Sequence, residues 1–290
     1  GLLVCTAMEQ PAAADHLIAT LPEDEVVEVL ASHLVEAAEA DPDSEDTPTI
    51  RQRAAAALEQ ASVRAASLGA PSEASRYLVR AAELVDGELR RGDLELRAGG
   101  LAVRAGARGT ARGLLEAADA RFTAASDVER LLRTASLMAQ LERSGGSYAI
   151  ALERLGAALA LAGDGEGIEP ATLADVHAQL GATHALIGDA AAAVPHLERS
   201  LQIAEDEDLE ETFVRVLISR GIVAQRLGRL RESELLLGAA RDRAERFGLT
   251  GDVVRYPAMP LFHSNAVLAG LAPALCSGAT LALARRFSAS

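Results

Sequence analysis

The chain has 290 residues; 49% are hydrophobic, only 3% are aromatic, and none is Trp. This length allows one or two globular domains or one elongated repeat array, and so few aromatic residues favour closely packed helices over a large ligand cavity. A net charge of −14 and a pI near 4.9 argue against nucleic acid and anionic membrane surfaces as partners.

Residues 1–50 are predicted to form an N-terminal helical segment followed by an acidic loop. The stretch Ala12–Thr20 is compatible with a short helix, and a stronger helical pattern follows Pro22. Its apolar residues share one helix face: Val26, Val27, Leu30, Leu34 and Ala37. Residues 40–48 contain Pro, Asp and Ser and are predicted to be a loop.

One pattern recurs five times between residues 51 and 250. A glycine is preceded by a small residue seven positions earlier and followed by a small residue five positions later, a leucine nine later and another small residue twelve later. The glycines are spaced 37, 40, 42 and 40 residues apart: Gly69, Gly106, Gly146, Gly188 and Gly228. A fixed period of this size predicts stacked helix–turn–helix units.

The five predicted helix pairs cover roughly 51–85, 88–122, 127–162, 171–206 and 210–247. Small residues allow the two helices of a pair to approach closely, and the recurring leucine fills the space between pairs. The turn glycine ends the first helix in a left-handed conformation. The insertion at 163–170 lengthens one connection, explains the 42-residue spacing and is predicted to be a flexible turn.

The fourth unit, residues 171–204, shows the pattern most fully. Small residues stand at Gly181, Ala193 and Ser200, with a turn at Gly188. This arrangement resembles the tetratricopeptide repeat, over about residues 51–250. The resemblance implies an all-α, right-handed solenoid of about five helix–turn–helix repeats.

Three histidines in this unit are candidates for a metal site. His177 and His184 lie seven residues apart on one helix, where the tetratricopeptide family usually has aromatics, and His196 lies on the paired helix. Imidazoles are common zinc ligands. Packing is the preferred interpretation, because no carboxylate stands at a metal-binding spacing, and no metal is predicted.

The character of the chain changes after Arg255. From Tyr256 to Ala284 there is no charged residue, but several prolines interrupt the run, which argues against a membrane helix. PLFHSN (260–265) and SGATLALARRFSAS (277–290) resemble an internal piece of the AMP-forming acyl-CoA synthetases. The resemblance implies a strand, a turn, a helix and a second strand, and it places His263 near an acyl pocket.

That family's phosphate-binding loop should precede this segment and its adenylate-binding motifs should follow it. Neither is found in the sequence. Residues 251–290 are therefore interpreted as a ligase-like tail without activity, arising from a join between unrelated coding sequences or from a truncated product.

No catalytic residue or cofactor is predicted, because the sequence contains no Walker loop, dinucleotide-binding fingerprint, zinc-protease motif or nucleophile elbow. The two cysteines, Cys5 and Cys276, lie far apart and suggest neither a disulfide framework nor a zinc site. They fit a cytoplasmic protein.

What remains is a binding surface on the first helix of each pair. The predicted groove residues are Asp175, Gln179, Thr183, Arg215, Ser219 and Ile222. The segment RAASLGAPSEASRYLVRAAEL (64–84) resembles the C-terminal repeat arrays of large bacterial signalling ATPases, which couple a cyclase or DNA-binding domain to an NTPase module.

The preferred hypothesis is therefore a non-catalytic scaffold or sensor that binds a protein or another domain of its own parent, with no small-molecule substrate. Two alternatives stay open: an inactive fragment or fusion of an acyl-CoA ligase, and a membrane tether formed by the charge-free tail.

Overall fold

The computed structural model describes residues 23–248, 254–255 and 280–281, with side chains described for 27–248. The chain divides into two compact units, Gly1–Ile168 and Glu169–Ser290. The division falls inside the insertion at 163–170, where three glycines have positive φ: Gly163, Gly165 and Gly167. The predicted boundaries near residues 50 and 250 stay predictions.

The described part of the first unit consists of seven helices. They are α1 (Glu23–Ala40), α2 (Thr47–Ser67), α3 (Pro71–Leu84), α4 (Glu88–Arg104), α5 (Arg108–Ala125), α6 (Val128–Ser144) and α7 (Tyr148–Ala162). The predicted face of α1 is confirmed at Val27, Leu30, Leu34 and Ala37, which are all buried. Residues 41–46 form the predicted connection, and the candidate helix Ala12–Thr20 lies outside the described residues.

The second unit contains four described helices and a pair of short strands. The helices are α8 (Pro170–Ile187), α9 (Ala190–Asp206), α10 (Glu210–Arg226) and α11 (Leu230–Arg246). Strands β1 (Val254–Arg255) and β2 (Thr280–Leu281) pair in parallel, with Val254 opposite Thr280. All five predicted helix pairs are confirmed, as α2–α3, α4–α5, α6–α7, α8–α9 and α10–α11.

The turn between the helices of each pair depends on its glycine. All five turn glycines have φ between +73° and +85°, a left-handed region that side chains with a Cβ rarely adopt. At Gly188 the amide donates to the carbonyl of Ala185 and the next amide, of Asp189, donates to that of His184. This arrangement satisfies carbonyls at the end of α8 that have no partner within the helix.

Close contact between paired helices explains the recurring small residues. A Cβ added to Gly99 would lie 2.7 Å from the Leu115 side chain, so only glycine fits there. In the first pair the equivalent Ser62 donates its hydroxyl to the Ala74 carbonyl at 2.8 Å. The helices therefore touch through backbone and small side chains rather than through large interdigitating ones.

The recurring leucines form the centre of each pair. Leu78, Leu115, Leu155 and Leu197 are at most 1% exposed. Leu237, at the same repeat position in the last described pair, is instead 38% exposed. The difference arises because burial of this position requires a following helix, and none follows α11 among the described residues.

Candidate functional site

The first helices of the two hairpins in the second unit, α8 and α10, lie side by side and are linked at both ends. Near their N-termini, Arg215 Nη2 donates to Asp175 Oδ1 at 2.7 Å. Near their C-termini, the Arg226 guanidinium donates to the backbone carbonyls of Ala185 and Leu186. These contacts join the two helices near both ends.

Three aliphatic side chains are exposed on these two helices. Ile218 and Ile222 are 42% and 41% exposed on α10, and Leu186 is 49% exposed on α8. Ile218, Ile222 and Arg226 follow one another at intervals of four residues and therefore form one row along α10. We call the set Asp175, Leu186, Arg215, Ile218, Ile222 and Arg226 the α8–α10 surface.

Five of the six predicted groove residues are at least partly accessible. Asp175 and Arg215 pair with each other, their side chains being 29% and 46% exposed. Gln179 and Ser219 are partly buried, and the Ser219 hydroxyl donates to the Arg215 carbonyl at 3.1 Å. The structure brings Asp175, Arg215 and Ile222 into the α8–α10 surface.

Thr183 does not line that surface. It is fully buried, and its hydroxyl donates to the Gln179 carbonyl at 2.6 Å. The prediction at this position was therefore wrong, because a position eight residues after Asp175 has rotated toward the neighbouring helices. His263, the residue suggested for an acyl pocket, lies outside the described residues.

Ile218, Leu186 and Arg226 were not among the predicted groove residues. The signal for Ile218 and Arg226 was present, because each lies four residues from the predicted Ile222 and so belongs to the same helix face. Leu186 lies seven residues after the predicted Gln179 and so shares its face of α8.

The three histidines of the fourth hairpin do meet. His177 Nδ1 lies 3.0 Å from His196 Nδ1, and the His184 and His196 rings stack 6.0 Å apart with an angle of 7° between their planes. Burial, reinforced by His196 and Arg199, lowers the pKa of His177 to about 4. Burial and the nearby His184 also lower the pKa of His196.

The described residues contain no group of three or more His, Cys, Asp or Glu side chains arranged to hold a metal ion. Within the histidine trio, His184 Nδ1 is buried without a hydrogen-bond partner, and it lies 3.6 Å from Asp189 Oδ2. The Asp189 carboxylate caps α9 by accepting from the Ala192 amide at 3.0 Å.

Arginine–carboxylate pairs connect different helices in the first unit. Arg130 on α6 donates two hydrogen bonds to Asp93 on α4, at 2.7 and 3.0 Å, and it also binds Asp127. Hydrogen bonding to Asp93 and then Asp127 raises the pKa of Arg130. Burial opposes ionisation of Asp127, but hydrogen bonds from the amide and guanidinium of Arg130 hold its pKa below the usual range. Arg130, Asp93 and Asp127 therefore form a structural ion-pair cluster.

An open cleft of about 530 Å³ lies between α3 and α5 in the first unit. Its charged residues are paired locally, Arg76 with Glu73 and Arg80 with Glu83. Its lining includes no His or Cys. One of its hydroxyl groups, that of Ser75, donates to the Ala98 carbonyl at 2.9 Å.

None of the helices between residues 23 and 248 combines the length and hydropathy that a bilayer crossing requires.

Solved structures similar to this chain are tetratricopeptide-like helical repeat proteins. A Rap protein complexed with the competence and sporulation factor superposes with a TM-score of 0.60 at 13% identity, over 84% of this chain and 80% of its own. The second structure is a signal transduction ATPase with numerous domains and a tetratricopeptide repeat sensor, from Pyrococcus horikoshii. Its TM-score is 0.56 at 13% identity, and the match covers 84% of this chain and 38% of that one. The third is NprR bound to its cognate peptide NprX, with a TM-score of 0.55 at 15% identity over 83% of this chain and 67% of that one. These similarities establish the fold.

A second, local similarity is to acyl-CoA ligases. The chain is 59% identical over 46 residues to the medium/long-chain-fatty-acid–CoA ligase FadD17 of Mycobacterium marinum, and 53% identical over 45 residues to the steroid-22-oyl-CoA synthetase of Rhodococcus jostii. Each match covers 16% of this chain and no more than 9% of the enzyme. Strands β1 and β2 lie where the ligase resemblance of the tail places strands.

The chain matches no protein-family model.

Proposed function

We propose that this chain is a non-catalytic protein-interaction scaffold whose α8–α10 surface binds a protein or peptide segment. The observation that carries the proposal is the row of exposed aliphatic side chains, Ile218 and Ile222, beside Leu186 and between two arginines. Exposed apolar side chains gathered on one face indicate a docking site more strongly than the same residues scattered singly.

The composition of this surface suggests its ligand. Aliphatic side chains favour an apolar segment, while Arg215 and Arg226 offer guanidinium groups that pair well with carboxylates. Arg215 is already paired with Asp175, but this pair is half exposed and has little net stability to lose when a competing carboxylate arrives.

We further propose that the chain is the sensor or repeat portion of a larger cytoplasmic bacterial signalling ATPase or transcriptional regulator. The similar fold of a signalling ATPase with a repeat sensor supports this context. Two other structures of similar fold, Rap and NprR, were solved with a signalling factor or peptide bound. The partner proposed here is accordingly a protein segment or another domain of the parent chain.

The binding test uses the intact chain as bait for a displayed peptide library, followed by fluorescence anisotropy with the selected peptides. Ile222→Asp is expected to weaken binding at least about tenfold, because it places a carboxylate within the apolar row. Leu161→Asp, at an exposed leucine of α7 in the other unit, is the matched control. Equal loss of affinity in both variants, or no peptide selected by the wild type, would rule out this surface.

The alternative, an acyl-CoA ligase fragment, is favoured by one observation, the parallel pairing of Val254–Arg255 with Thr280–Leu281 in a region resembling a ligase strand–helix–strand. ATP–pyrophosphate exchange with medium-chain fatty acids tests it. Turnover above a no-enzyme control would support the ligase and contradict a non-catalytic role. The scaffold proposal expects none.

A further inference from the structure

The histidine trio occupies a layer that is largely apolar in the first and fifth hairpins of the same chain, whereas the matching positions include Glu95 in the second and Glu142 and Arg154 in the third. Counted from the glycine and leucine of the repeat, the positions of His177, His184 and His196 correspond to the following residues: Leu58, Ala65 and Tyr77 in the first pair, and Leu217, Ala224 and Leu236 in the fifth. Leu58, Ala65, Leu217 and Ala224 are buried, and Tyr77 and Leu236 pack against the same cores. Three imidazole rings in the fourth hairpin therefore stand where the fifth hairpin has only hydrocarbon side chains.

The contact between His177 and His196 exists in only some protonation states. Their Nδ1 atoms are 3.0 Å apart, so one nitrogen must donate and the other must accept. When both rings carry two protons, both nitrogens are donors and both rings are cations. The hydrogen bond is then lost and two like charges face each other in a partly buried layer.

The surrounding charges offset this cost only in part. Asp189 lies 3.6 Å from His184 and gains an ion pair when that ring is protonated, but Asp189 is itself exposed. Arg199 adds a positive charge near His177. Of the other charged groups that join this hairpin to α10, Asp175 pairs with Arg215 and Glu198 pairs with Arg220. Arg226 binds the Ala185 and Leu186 carbonyls and adds a further positive charge at the end of α8.

We propose that the His177–His184–His196 layer makes the α8–α9 hairpin an acid-sensitive element that opens locally when the imidazoles become protonated. This inference is independent of the binding function proposed above, since it concerns the stability of the hairpin. If α8 also forms part of the binding surface, the same device disorders that surface under mildly acidic conditions.

The direction of the pH effect follows from the titration of the two rings. The folded-state pKa values of His177 and His196 are lowered, whereas in an open hairpin they return to about 6.5. The open form therefore binds more protons below about pH 6.5. The stability of the hairpin is fully present above that pH and declines as the pH falls toward about 4.

The test is hydrogen–deuterium exchange of the full chain at about pH 7 and about pH 5, corrected for intrinsic exchange rates. Protection of α8 and α9 is expected to fall at least about tenfold more than that of α2 and α3, whose equivalent layer does not titrate in this range. A triple variant, His177→Leu, His184→Ala and His196→Leu, installs the residues of the fifth hairpin and should remove the difference. An equal loss of protection in both hairpins, or an unchanged loss in the variant, overturns the proposal.

A second measurement does not depend on the variant folding. The imidazole resonances of the wild-type chain can be followed during an NMR titration. His177 and His196 are expected to titrate below the value of about 6.5 that a free imidazole has. Titration of both rings near about pH 6.5 would contradict the proposal.

Discussion

A Cβ atom placed on Gly181 would lie 2.5 Å from Cγ of Leu197. The two residues belong to the paired helices α8 and α9, and Leu197 is fully buried. The two helices therefore approach this closely because residue 181 has no Cβ atom. The Leu197 side chain occupies the space that a side chain at residue 181 would need.

This relationship makes Gly181→Ala a destabilising change, although alanine is normally the better helix former. Displacing Leu197 in a packed hairpin should cost about 1–3 kcal/mol. Gly156→Ala is the matched control, because Gly156 lies inside α7 with no atom within 4 Å of an added Cβ. That change should stabilise the chain by about 0.5–1 kcal/mol. Urea unfolding of both variants checks the prediction, and a shift of the same sign in both would contradict it.

Leucine at the repeat position should matter in proportion to its burial. Leu197→Ala is expected to cost about 2–5 kcal/mol, because it removes a fully buried side chain. Leu237→Ala deletes the same atoms at the same repeat position, where the side chain is 38% exposed. Its cost should be markedly smaller, as measured by thermal or urea unfolding. Equal costs would show that Leu237 is covered in solution.

The turn after α8 should depend on the backbone conformation of Gly188. Its φ of +85° is strained for residues with a side chain, and no neighbouring atom lies within 4 Å of an added Cβ. Gly188→Val should therefore cost about 1–2 kcal/mol through backbone strain alone. Gly188→Asn should cost less, since Asn tolerates this region better. Urea unfolding measures the stabilities of the two variants and the wild type. A Gly188→Val variant as stable as the wild type would contradict the left-handed turn.

Substitution of Arg215 should weaken peptide binding while barely changing the stability of the chain. Its ion pair with Asp175 is largely solvated, so Arg215→Met should change the free energy of unfolding by less than about 1 kcal/mol. The same change should weaken any peptide that reaches the α8–α10 surface with a carboxylate. Anisotropy with acidic and amidated forms of one peptide checks this. An equal effect on both forms would show that Arg215 does not bind the carboxylate.

The helix pairs could be predicted from the sequence, because the determinants are local. A turn requires glycine because of the glycine's own φ, and the small residues and the leucine of a repeat contact the other helix of the same hairpin. The spacing along the chain therefore predicts which residues of a hairpin meet. The pairs α2–α3 to α10–α11 and the positive φ of the five turn glycines follow from that spacing.

The candidate site could be predicted only in part. The sequence indicated that the first helices carry the surface and identified Arg215 and Ile222, but which face is open depends on the contact with the next helix. Thr183 was misplaced for this reason: its side chain faces packed neighbours rather than solvent.

By itself the sequence determined the order of the helices, the positions of their turns and the absence of large side chains where paired helices touch. Only the tertiary structure decided that Ile218 stays exposed, that Leu237 is more exposed than the other repeat leucines and that three histidine rings meet in one layer. The reason is physical: a helix period fixes which residues share a face, whereas exposure and protonation depend on what the neighbouring helices place against that face.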